Sequence, residues 1–100
     1  MKATTRHYVL VCYDVREPKR LRRTYRTLLG YGDPIQYSIF VCCLSRAEQV
    51  LMEEALRVVV EMAEDAVHIV DLGPAAGLAL RRVRALGRRH LPEQRRYWVI

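Results

Sequence analysis

Cysteine is scarce in this sequence. Its three thiols, Cys12, Cys42 and Cys43, are odd in number and show no CxxC spacing. That argues against a disulfide framework and against a zinc ribbon. Cys12 lies inside an apolar run and reads as a small buried hydrophobe. Long apolar stretches are also missing. Uncharged apolar runs such as 8–13 and 35–45 fall well short of the roughly 20 residues a membrane span takes. The opening MKATTRHYVLVCYD has one brief apolar run closed by Asp14. It lacks the longer apolar core and small-residue cleavage site of a signal peptide. A cytoplasmic protein without a membrane partner is expected. HExxH, GxGxxG and GxxxxGK[ST] do not occur, and Ser38 has no GxSxG context, which sets aside the zinc peptidase, dinucleotide, P-loop and serine hydrolase signatures. His7, His68 and His90 are too far apart for ligand spacing. Lysine occurs only twice, so arginine supplies nearly all of the 17 basic residues.

What is present suits one small folded domain over 1–100. Of 100 residues, 51% are hydrophobic and 28% charged, a globular balance. A chain this short buries only about two-thirds of its unfolded surface, so a dimer would help it. The net charge is +6. Arginine in excess suits a polyanionic partner, because its fork grips phosphate in a bidentate manner. A merely solvated surface is the plainer alternative. The charge is blocked along the chain. Arg16, Lys19, Arg20, Arg22, Arg23 and Arg26 face one acid, Glu17, over 16–26. Residues 48–71 are acidic, and 81–96 hold seven arginines against Glu93.

The run YVLVCY over 8–13 reads as a central strand buried on both faces. Pro18 is a good first helical residue. Leu21, Tyr25, Leu28 and Leu29 then keep helical spacing, with the arginines mostly off that stripe, and Gly30 and Gly32 are expected to end the helix. Asp33-Pro34 signals a turn, and 35–44 is β-type. Ser45 and Glu48 form a capping box for a helix to about Ala63, whose apolar stripe reads Ala47, Val50, Leu51, Ala55, Val58 and Met62. A strand follows over 66–72. Residues 78–86 suit a short helix or a strand, and RYWVI at 96–100 is β-type. The order fits an α+β, ferredoxin-like βαββαβ sandwich with an extra C-terminal strand. The region 34–44 must supply the second and third strands, as one kinked strand or two short ones.

Asp14 is the one carboxylate placed where sites collect, directly after a strand and before the basic helix. Its hard oxygen suits Mg²⁺ or Mn²⁺. It could equally cap the helix or organise the turn. One carboxylate makes a poor metal site, but a twofold dimer can bring two copies together.

Tyr13-Asp14-Val15, an Arg-rich helix ending in Gly, and the segment Ile35-Gln36-Tyr37-Ser38-Ile39-Phe40 together resemble the CRISPR-associated protein 2 family. Asp65 ahead of a strand, the LG at 86–87 and an apolar C-terminal run fit as well, so the resemblance spans nearly the whole chain. It implies a ferredoxin-like homodimer, with the C-terminal strand within the dimer-associated segment 78–100 crossing to the partner's sheet. It implies either a Mg²⁺-dependent (or Mn²⁺-dependent) nuclease of RNA or double-stranded DNA, or a non-catalytic DNA-binding bridge between dimers of the CRISPR integrase, CRISPR-associated protein 1. The metal aspartate falls on Asp14, with Tyr13 beside it in the catalytic set. The nucleic-acid contacts fall on Arg20 and Arg23, with Arg16, Arg22 and Arg26 around them. Phe40 falls in the core near the site. Pro34 stands where many members are basic, and Val41 where many carry Glu. A toxin-like ribonuclease of similar fold is a reading outside the family.

Overall fold

The computed structural model describes residues 5–87. The apolar run seen in the sequence lies within β1, His7–Asp14. It occupies an inner position of a four-stranded antiparallel sheet ordered β2-β3-β1-β4, where β2 is Gly32–Gln36, β3 is Ile39–Leu44 and β4 is Ala66–Pro74. Two short strands therefore arise between 32 and 44, joined by a turn at Tyr37-Ser38. With α1, Pro18–Leu29, and α2, Arg46–Val59, the order is βαββαβ, the expected ferredoxin-like sandwich. The proposed extra C-terminal strand, and arginines 88, 89, 95 and 96, lie outside the described residues. Residues 79–82 form a short 3₁₀ turn.

Strand alternation splits β1 between two faces. Val9, Val11 and Tyr13 enter a core with Leu28 of α1, Met52 and Leu56 of α2, and Phe40, Cys42 and Leu44 of β3. Each fully buried large side chain there contributes about 1.5–3 kcal/mol. Tyr8 points the other way and joins Val41, Leu72, Ala79 and Leu80 in a second cluster, with Leu10 packed against it. By the same alternation Asp14 belongs to that second face.

Local signals explain both helix starts. Glu17, not Asp14, caps α1: its carboxylate accepts from the Arg20 N–H at 2.8 Å, and Pro18 follows. The Ser45 hydroxyl accepts from the Glu48 N–H at 3.1 Å, while Glu48 accepts from the Ser45 N–H at 2.9 Å, completing the capping box.

Three readings need correction. In α1 the buried positions are Thr24 and Leu28, while Leu29 is exposed; Thr24 hides its hydroxyl by donating to the Arg20 carbonyl at 2.8 Å. The α2 helix stops at Val59, and it buries Met52 and Leu56 while Val50, Leu51 and Val58 face solvent. Gly30 closes α1 with an ordinary right-handed φ of −76°, whereas Gly32 belongs to β2. A Cβ on Gly32 would collide with the Val41 carbonyl and come within 2.6 Å of Cys42 Sγ. The residue is glycine because two strands approach closely there.

Candidate nucleic-acid site at the end of the first strand

Asp14 is the last residue of β1 and is exposed. With the helix cap supplied by Glu17, its carboxylate is not consumed in starting α1. Val15, immediately after it, is buried in the main core, which anchors the chain on the far side of the carboxylate.

Beside Asp14 opens a cleft of about 630 Å³ between α1 and the turn joining β2 and β3. Tyr13, Leu21, Tyr25 and Tyr37 give it an apolar wall, and Arg22 and Arg26 bring cations. Arg22 and Arg26 are one helical turn apart, so they project on one side of α1. The turn is fixed to β1 twice. The Tyr13 hydroxyl donates to the Tyr37 carbonyl at 2.9 Å, and the Tyr13 N–H donates to the Ser38 carbonyl at 3.0 Å. Burial raises the Tyr13 pKa, with Tyr25 adding to the effect. A buried phenol whose proton is already given to a carbonyl acts here as a strut, which is a different task from proton transfer to substrate. Phe40 is wholly buried, with its ring edge-on to Tyr25 at 5.3 Å and tilted to Tyr13 at 6.2 Å. It supports the cleft wall from beneath.

The arginines of α1 do not act as one set. Arg20 turns to the acidic stretch: its Nε donates to Asp65 at 2.8 Å, and its NH2 group reaches Asp65 at 3.2 Å and Glu64 at 3.1 Å. The Asp65 side chain has no exposed surface and that of Arg20 only 22%. The Arg20 hydrogen bonds hold the Asp65 carboxyl below its ordinary pKa, helped by the Glu61 N–H. Arg20 is thereby a structural cation, with its Nε and one terminal nitrogen committed to Asp65 and Glu64. Arg16 and Arg23 are exposed but do not line the cleft.

Of the residues singled out in the sequence, Tyr13, Asp14, Arg22 and Arg26 line this cleft; Tyr25 and Tyr37 line it as well and were not singled out for it. A signal for Tyr37 existed. A large aromatic in a tight turn between two strands has no core to fill. Among the described residues, no group of three or more His, Cys, Asp or Glu side chains converges on a point. His7 instead pairs with Asp71 at 2.8 Å, and that contact lowers the Asp71 pKa.

The family model described as CRISPR associated protein Cas2 matches residues 7–76. The chain belongs to the Cas2 family. It is 37% identical over 94 residues to the CRISPR-associated endoribonuclease Cas2 of Geobacter sulfurreducens, covering 94% of this chain and 98% of that one. It is 32% identical over 99 residues to CRISPR-associated endoribonuclease Cas2 1 of Rhodospirillum rubrum, covering 99% and 96%. Among solved structures, Streptococcus pyogenes Cas2 superposes with a TM-score of 0.71 at 33% identity, over 80% of this chain and 99% of that one. A hypothetical protein, TT1823 from Thermus thermophilus, superposes with a TM-score of 0.76 at 26% identity, over 88% and 99%. The Cas2 match runs from His7 through the site strand and both helices. Among the described residues no helix is long and apolar enough to cross a membrane.

Proposed function

We propose that this protein is a metal-dependent endoribonuclease of CRISPR adaptation, working as a homodimer in which Asp14 of each protomer faces a shared nucleic-acid strand. The observation that carries this reading is the exposed Asp14 carboxylate beside a cleft edged by Arg22 and Arg26. The names of the curated relatives, CRISPR-associated endoribonucleases, support it. Asp14 lies on the sheet face away from the helices, so two copies packed through that face would bring their carboxylates toward each other.

The donor set fits Mg²⁺, or Mn²⁺, in one respect. Mg²⁺ retains most of its water and takes one or two carboxylates together with phosphate oxygens, which is what one Asp14 per protomer offers. Bound there, the ion would polarise a phosphodiester and lower the pKa of its water. Arg22 and Arg26 would hold the phosphates flanking the scissile one. Tyr13 would fix the turn that closes the cleft, and Arg20 would keep α1 in place through Asp65. Partnership with the integrase, CRISPR-associated protein 1, rests on family membership, and so does action on double-stranded DNA.

The test is cleavage of labelled single-stranded RNA and duplex DNA, in Mg²⁺, Mn²⁺ or EDTA, by wild type and Asp14→Ala. Metal-dependent cutting of RNA that drops at least ~100-fold in the variant, with the dimer intact, is expected. Equal cutting by both proteins, or none by wild type, would leave a phosphate-binding scaffold as the function.

A further inference from the structure

We infer that Tyr37 is a stacking platform for one unpaired base of a nucleic-acid strand held in the Asp14 cleft. This deepens the proposed nuclease reading and rests on it for the reacting carboxylate. Three observations converge. Tyr37 is 91% exposed, although it sits in a two-residue turn tied to the sheet. That turn is held by the Tyr13 hydroxyl on the Tyr37 carbonyl and by the Tyr13 N–H on the Ser38 carbonyl, so the ring is displayed from a fixed backbone. The cleft it borders has an apolar side, with Leu21 and Tyr25 each more than a third exposed, and a cationic edge at Arg22 and Arg26.

An exposed tyrosine in a tight turn loses hydrophobic stabilisation unless something covers it. Every nucleobase presents a π face, and aromatic side chains stack on bases without regard to sequence. Bases within a duplex are already stacked on their neighbours. An unpaired strand can give a base to Tyr37 without the cost of breaking a pair, while its phosphates reach Arg22 and Arg26. The cleft, at about 630 Å³, is of the size that takes a small organic ligand. The arrangement divides the work: arginines hold the backbone, Tyr37 selects for an unstacked base, and Asp14 stands next to both.

The experiment is equilibrium binding in EDTA, so that cleavage plays no part. The ligands are a fluorescent mixed-sequence single-stranded RNA of about 12 nucleotides, within the usual span of such sites, a strand of equal length made of abasic units, and the matched RNA duplex. Wild type, Tyr37→Ala and Tyr37→Phe are compared. The Tyr13 bond goes to a backbone carbonyl and survives both substitutions, so fold is not at stake. Tyr37→Ala is expected to bind the single strand roughly 5- to 150-fold more weakly, with abasic and duplex affinities unchanged and Tyr37→Phe close to wild type. Wild-type affinity of Tyr37→Ala for the single strand would overturn the inference. So would an equal loss on all three ligands, or no binding of single strand by wild type. The nuclease reading fails separately: absence of Mg²⁺-dependent cutting alongside a base-dependent Tyr37 effect would remove the enzyme and keep the base site.

Discussion

Arg20 and Asp65, 45 residues apart, form a forked ion pair with Nε–Oδ2 at 2.8 Å that ties the first turns of α1 to the entry of β4. The pair converts one of the most conspicuous arginines of the basic segment into an internal brace. It also explains why the acidic stretch sits where it does. Asp65 neutralises a cation, accepts the Glu61 N–H at 2.8 Å, and so closes the connection after α2.

That brace makes stability sensitive to acid. Asp65 is held below its ordinary pKa chiefly by Arg20, Glu48 by the Ser45 N–H with Arg6 also bonded to it, and Asp71 by His7. A carboxylate whose folded pKa is lowered stabilises the fold above its unfolded value, and that contribution disappears as pH falls through the folded one. Thermal melts should therefore change little on account of these groups near neutrality and fall as the pH drops below about 4. Asp65→Asn should lower Tm at pH 7 and flatten the acid limb. An acid limb unchanged in the variant would assign the loss to other groups.

Phosphate affinity should divide along α1. Arg22→Ala and Arg26→Ala are each expected to reduce the slope of log affinity against log salt by about 1 while leaving Tm near wild type. Arg20→Ala should do the reverse, lowering Tm with little change in the salt slope. Titrations of one RNA strand at several salt concentrations, beside melts of the same samples, separate the two behaviours.

Phe40 illustrates how loss of activity can mislead. Its ring is wholly buried between Tyr13 and Tyr25, and truncation to Ala is expected to cost about 3–5 kcal/mol. Phe40→Leu keeps more of the volume and should lose less stability and more of the cleft's shape. Chemical denaturation of both variants, set against their RNA affinity, tells an unfolded protein from a distorted site.

Gly32 tests the sheet. Gly32→Ala puts a methyl group against the Val41 carbonyl and Cys42 Sγ, and overpacking of this kind costs about 1–3 kcal/mol. Gly30→Ala meets only ordinary contact, 3.4 Å from the Thr27 carbonyl, and should be neutral or slightly stabilising. Denaturation midpoints of the pair give the comparison directly.

What the sequence disclosed depended on the range of the interaction. The β1 run, Pro18 at the start of α1 and the Ser45–Glu48 box are local, and each was legible from neighbours within four residues. The α2 stripe was not. That helix carries two apolar rows, one through Val50, Leu51 and Val58 and one through Met52 and Leu56, and periodicity is satisfied by either. The sheet chooses Met52 and Leu56, which join Val9, Val11 and Leu44 in one buried cluster, an arrangement that only tertiary structure supplies. Gly32 was misassigned for a related reason: its need for glycine comes from Val41 and Cys42 on a neighbouring strand. At the site, strand position singled out Asp14, but the partition of the arginines depended on Asp65, far along the chain.

Tyr13 and Asp14 are adjacent on one strand and serve opposite faces, the first locked into the interior and the second left in water. A single-residue insertion or deletion within β1 would exchange their surroundings, driving a carboxylate into the core and the ring outward. The core and the proposed site therefore depend on the same strand register. A lineage could not drift in that strand's length without moving both side chains at once, whereas a substitution at exposed Asp14 changes one of them and leaves the core untouched.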